Sequence, residues 1–154
     1  MSKLTPTMQR IVNEQKLGFV ATVNADGSPN LSPKATFVVV DDEHLAFGDL
    51  RSPNTTRNLA DRAGIEVNFV DPFVRKGFRA RGQAVYHAKD TPEFAALVAK
   101  FDAWGSLTEA LRGIVNIHIQ RATLVSSPAY DGGADEAQIR AQWVAHFEAL
   151  SAPN

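Results

Sequence analysis

Two arginines and three hydroxyl side chains fall within the ten residues Asp49-Leu50-Arg51-Ser52-Pro53-Asn54-Thr55-Thr56-Arg57-Asn58. Ser52-Pro53 reads as a helix start. Serine is a favoured N-cap, and proline at the first helical position gives up an N–H that would have no partner within the helix. The N–H groups of Asn54, Thr55 and Thr56 are then expected to point out of the helix end, with the positive end of its dipole behind them. With Arg51 and Arg57 alongside, this composition suits a phosphate group.

Other chemistries find less support. The histidines His44, His87, His118 and His146 are isolated in the sequence. No pair has the spacing of a zinc or di-iron site, so no metal ligand is assigned. His118 falls on the polar side of an alternating segment, where a solvated ring is a plainer reading than a haem ligand. The chain has no cysteine, which excludes disulfides, thiolate metal sites and a cysteine nucleophile. Trp143 reads as packing, whereas Trp104, beside Gly105 at the end of its helix, is a candidate to cover a ligand or meet a partner subunit.

With 154 residues, 44% hydrophobic and 21% charged, the chain is expected to form one soluble domain over 1–154 with a true core. Its net charge of -1 gives no basic field for nucleic acid or an anionic membrane. No apolar run approaches membrane-spanning length and no signal-peptide core is evident, so the expected location is cytoplasmic.

The elements that must position the phosphate candidate follow from periodicity. Thr5 to Leu17 is expected to be a helix, with Met8, Ile11, Val12 and Gln15 on one face. Gly18 to Asn24 is expected as a strand, followed by the hairpin turn Ala25-Asp26-Gly27-Ser28. A second strand over Pro29 to Val40, interrupted by Pro33, implies an edge or a bulge. His44 to Phe47 returns as a third strand, continuing an antiparallel meander. Further strands are expected at Ile65 to Val70, Gly77 to Ala88 and Ile114 to Val125. A helix beginning at Thr91-Pro92 carries the stripe Phe94, Leu97, Val98 and Phe101. The tail from Ala134 to Leu150 is expected to be helical, with Ile139, Trp143, Phe147 and Leu150 on one face. Six strands mostly in hairpin order predict a mainly β fold with flanking helices, a closed or partly closed antiparallel barrel. A barrel this small fills with its own side chains, so a ligand belongs outside it or at a subunit contact.

In this order the motifs resemble a known family. Ala25-Asp26-Gly27-Ser28-Pro29, Ser32-Pro33-Lys34, Phe47-Gly48-Asp49 and Arg51 to Leu59 look like the pyridoxamine 5'-phosphate oxidase-like split barrels. Gly77-Phe78-Arg79-Ala80-Arg81-Gly82 and Thr91-Pro92-Glu93-Phe94 resemble the later part of the small members of that group. The likeness covers about residues 5 to 128.

The resemblance implies a six-stranded split β-barrel that binds flavin mononucleotide (FMN) and forms a homodimer, each flavin lying in a groove between subunits. It places the phosphate near Arg51, Ser52, Asn54, Thr55, Thr56 and Arg57. It lays the flavin ring along Ser32, Pro33, Lys34, Ala35 and Thr36, with Asp49 and Leu50 beside them. A bulge at Pro33 would free backbone groups to read the ring's pyrimidine edge. Lys34 is within reach of the phosphate or of the N1/O2 side, where positive charge favours reduced flavin. The implied activity is an FMN-dependent oxidoreductase acting on a small-molecule substrate or electron donor. A deazaflavin- or haem-binding barrel and a non-catalytic flavin carrier are the alternatives. The chain departs from true oxidases at Ser126 to Gly133, which lacks their Arg- and His-rich substrate-gripping segment.

Overall fold

The computed structural model describes residues 3–153; residues 1, 2 and 154 of the expected domain lie outside that range. Helix α1 (Pro6–Gln15) starts where Thr5 Oγ1 accepts from the Met8 N–H at 3.3 Å. It ends at Lys16, which takes the left-handed conformation (φ 60°). Met8, Ile11 and Val12 are buried, as their spacing predicts.

Strands β1 (Gly18–Val23) and β2 (Pro29–Lys34) form the expected hairpin, with Gly18 opposite Lys34 and Val23 opposite Pro29. In its turn the Ser28 N–H donates to Asp26 Oδ1 at 3.0 Å, and Gly27 supplies a φ of 84°.

The expected long second strand is in fact two. After β2 the chain leaves the ladder at Ala35 and re-enters as β3 (Phe37–Val39), which pairs with β4 (His44–Asp49) rather than with β1. Thr36 makes the transfer. Its Oγ1 donates to the Gly48 carbonyl at 2.7 Å, and the Gly48 N–H donates to the Thr36 carbonyl at 3.2 Å. Among the described residues the sheet therefore has seven antiparallel strands, and the expected meander is corrected to two hairpins at opposite ends of it.

After α2 (Pro53–Asp61) come β5 (Gly64–Asp71), β6 (Lys76–Ala88) and, later, β7 (Gly113–Ser126), giving the order β2-β1-β5-β6-β7-β4-β3. The sheet curls, because the Phe37 ring on edge strand β3 lies 4.8 Å from Phe69 on β5, four strands away in the sheet. A register shift at Arg81/Gly82 adds bend to β6. Leu45, Phe47, Val67, Phe69, Phe78, Ile117 and Ile119 fill the inside, each large side chain contributing about 1.5–3 kcal/mol of burial.

A second cluster lies on the outer face. There α3 (Pro92–Val98) and the 3₁₀ segment Ala99–Thr108 place Phe94 and Phe101 against Ala46, Leu111 and Ile114. The α-helix stops at Val98, short of the expected stripe, and Gly105 (φ 55°) kinks the 3₁₀ segment. Trp104 packs against this cluster, half-buried, with Lys16 Nζ 5.2 Å from its ring centre.

The C-terminal α4 (Glu136–Ser151) buries Ile139. Trp143 lies under the Arg75 guanidinium at 3.3 Å, and Phe147 meets Phe73 at 5.4 Å. Leu150 is exposed and so drops out of the expected stripe. Among the described residues no helix is long and apolar enough to cross a membrane.

Candidate functional site

Helix α2 begins at Pro53, as Ser52-Pro53 predicts, but Ser52 does not cap it with its side chain. Its backbone (φ -133°, ψ 56°) is outside the extended region from which a cap hydroxyl reaches the helix N–H groups. Instead the Ser52 carbonyl accepts from the Thr56 N–H and from Thr56 Oγ1, both at 3.0 Å. The Thr56 N–H is thus used within the chain and does not face a ligand, contrary to expectation. The N–H groups of Asn54 and Thr55 have no acceptor among the described residues.

A buried side chain missed in the sequence pins this helix. Asn58 Nδ2 donates to Thr22 Oγ1 at 3.0 Å and to Asn24 Oδ1 at 2.9 Å, and Asn30 Nδ2 reaches the same Thr22 hydroxyl at 3.2 Å. Arg62 Nε adds a bond to the Val23 carbonyl at 2.9 Å. The start of α2 is in this way held beside the β1–β2 hairpin.

Between them lies a cavity of about 210 Å³. It brings together Ser32 and Lys34 from β2 with Arg51, Ser52, Asn54 and Thr55 from the helix start. Asn30 and Leu31, not singled out in the sequence, line it too. Lys34 Nζ donates to Ser32 Oγ at 2.6 Å. Burial lowers the Lys34 pKa, and the charge of Asp49 opposes that shift. Arg51 and Asn54 are exposed, whereas Thr55 is buried.

The other predicted residues lie outside this cavity. Pro33 and Ala35 are exposed at the edge, Thr36 is buried in the strand transfer, and Leu50 packs with the outer cluster. Thr56 is tied back to Ser52, and Arg57 is exposed farther along α2.

Asp49 sits deeper, at the end of β4, 4% exposed. Its Oδ1 is buried and has no hydrogen-bond partner among the described residues. Its Oδ2 is 3.5 Å from the Tyr86 hydroxyl of β6. Tyr86 reaches it by lying over Gly113 of β7, where any Cβ would run into the phenol ring. Desolvation raises the Tyr86 pKa, with the charge and hydrogen bond of Asp49 adding to the shift and the charge of Arg112 opposing it. Tyr86 was legible only as one more inward-facing residue of its strand. Leaving a buried acceptor without a donor costs about 1–3 kcal/mol.

The donors gathered around this cavity suit an anionic group such as a phosphate. A family model described as pyridoxamine 5'-phosphate oxidase matches residues 4–126. The crystal structure of Group A Streptococcus HupZ is 31% identical, with a TM-score of 0.69 over 80% of this chain and 94% of that one. A structure described as a putative pyridoxamine 5'-phosphate oxidase from Lactobacillus delbrueckii is 23% identical, with a TM-score of 0.67 over 80% and 95%. An FMN-binding protein from Syntrophomonas wolfei shares the fold at 13% identity, with a TM-score of 0.65 over 80% and 87%. No curated protein matches the chain.

Proposed function

The chain belongs to the pyridoxamine 5'-phosphate oxidase family, and on that premise we propose that it binds FMN and acts on a small molecule as a homodimeric, flavin-dependent oxidoreductase. The observation that carries this reading is the cavity in which Arg51 and the free N–H groups of Asn54 and Thr55 meet Ser32 and Lys34. These donors suit a phosphate monoester. The FMN-binding relative from Syntrophomonas wolfei adds support.

When bound, the flavin supplies the hydride or electron chemistry. The chain's own part is to bind and orient. Arg51 and the α2 N–H groups would hold the phosphate, and Lys34, hydrogen-bonded to Ser32, would add positive charge in the same cavity. The Tyr86 phenol, its pKa raised, keeps its proton beside Asp49 and can donate a hydrogen bond there. The homodimer reading rests on exposed apolar side chains of the β1–β2 hairpin, Phe19, Val23 and Leu31, the last of which also lines the cavity. The segment after β7 runs into α4, with Tyr130 donating to the Val74 carbonyl at 2.7 Å, so pyridoxamine 5'-phosphate is not the expected substrate.

Purified protein should be yellow, with flavin absorbance that is released as FMN on denaturation. A colourless preparation that takes up neither added FMN nor riboflavin would overturn the proposal. Uptake of a deazaflavin in preference to FMN would replace it with the alternative reading. Turnover with reduced nicotinamide and candidate acceptors separates an enzyme from a carrier.

A further inference from the structure

Two of the histidines that are isolated in the sequence are neighbours in the sheet. His44 of β4 is the register partner of His118 of β7, and their ring centres are 5.0 Å apart with 33° between the planes. Both are on the outer face at the opposite end of β4 from Asp49, roughly 16 Å along the strand. The pair therefore lies apart from the cavity proposed for flavin.

The pair is also oriented. His44 Nδ1 contacts both oxygens of Asp41, at 2.9 and 3.1 Å. The Glu43 N–H donates to the same carboxylate at 2.8 Å and holds it in place. A ring nitrogen facing a carboxylate carries the proton, which leaves the lone pair of the neutral ring on Nε2. This is the carboxylate–histidine arrangement found behind metal-bound imidazoles, where the outer carboxylate sets the tautomer and raises ligand basicity. His118 is exposed, and its ring makes no hydrogen bond among the described residues. Two imidazoles on one tetrahedral ion, each with a metal–nitrogen bond of about 2.0–2.1 Å, have ring centres roughly 5 Å apart. The observed separation of 5.0 Å matches that requirement.

We propose that His44 and His118 bind one divalent transition-metal ion, of which Zn²⁺ and Cu²⁺ fit imidazole best, with Asp41 as the positioning carboxylate. Among the described residues no group of three or more His, Asp or Glu side chains is gathered to hold a metal. The site is thus a two-ligand clamp between β4 and β7 completed by water. Gln83 of β6 is the next register partner of His118 along the row.

The test is a Zn²⁺ titration of the untagged full chain, followed by competition with a chromophoric indicator and by the imidazole nitrogen resonances of the four histidines. One equivalent should bind and shift the His44 and His118 rings alone. His44→Asn and His118→Asn should each remove that equivalent, while Asp41→Asn weakens it about tenfold to a hundredfold. His87→Asn and His146→Asn should leave it unchanged. Zn²⁺ should raise the melting temperature of the parent and not of His118→Asn, since an ion that binds only the folded state stabilises it. Absence of a one-equivalent site would overturn the proposal, as would a site that survives both His44→Asn and His118→Asn with the fold intact. Should His44→Asn fail to fold, exposed His118 and the ring resonances of the parent still decide.

Discussion

The Tyr86 ring crosses β7 at Gly113 and brings its hydroxyl to 3.5 Å from Asp49 Oδ2, linking β6 to β4 over the strand between them. A phenol in this position titrates above its ordinary value because it is desolvated and faces a carboxylate. In a Tyr130→Phe background Tyr86 is the only tyrosine, so ultraviolet tyrosinate absorbance reports it alone. The midpoint should lie above that of a model phenol, and Asp49→Asn should bring it down. The folded chain holds this proton more tightly than the unfolded one. The associated stability is therefore present below the unfolded pKa and is lost as the pH rises through the folded one.

Gly113→Ala should destabilise the protein by about 1–3 kcal/mol, because the added methyl displaces the Tyr86 ring. Denaturant unfolding measures the loss. Tyr86→Ala in the same chain should recover part of it, and strict additivity of the two substitutions would show that the ring is not what the methyl meets.

Arg51→Ala should weaken FMN about tenfold to a hundredfold, the size of one charge-assisted hydrogen bond. Quenching of flavin fluorescence on binding gives the affinity. Riboflavin, which lacks the phosphate, should be nearly indifferent to the substitution. Arg51 is the informative position because it is exposed, whereas any change at buried Thr55 also disturbs packing.

Asn58→Ala removes both hydrogen bonds that tie α2 to Thr22 and Asn24 and takes a donor from each of their oxygens. A loss of about 1–3 kcal/mol in stability is expected. FMN affinity should fall with it, since the helix start is half of the cavity. A stable Asn58→Ala protein with parental affinity would show that α2 is held by other contacts.

Light scattering should give a dimer mass for the parent. Leu31→Glu, on a side chain 69% exposed in the single chain, should shift it towards monomer. A monomeric parent with flavin bound would remove the homodimer from the proposal.

Residues with local signatures were legible in the sequence. Asp26-Gly27 marked the first hairpin, Ser52-Pro53 and Thr91-Pro92 marked helix starts, and alternation marked the inner faces of β5, β6 and β7. The break at Ala35-Thr36 was not legible, because the Thr36 bonds that cause it are made to Gly48, twelve residues away. The same holds for the site. Arg51 stood out by type, and Ser32 and Lys34 through the family resemblance, but Tyr86 and Asn58 act through strands and loops distant in sequence. The pairing of His44 with His118 is a matter of register, and spacing along the chain carries no trace of it.

The curled sheet stops short of closure and leaves β2 and β3 as its edges. Exposed edges invite strand addition from another chain and, through it, aggregation. Each edge here is a poor template for different reasons. In β2 two of the six residues are prolines, Pro29 and Pro33, with no N–H to offer an incoming strand. In β3 only three residues are in the ladder, too few for a lasting register. Replacing Pro33 would thus endanger solubility before it endangered the fold. A missing N–H, of little consequence inside one chain, keeps the barrel's open side from recruiting unfolded neighbours.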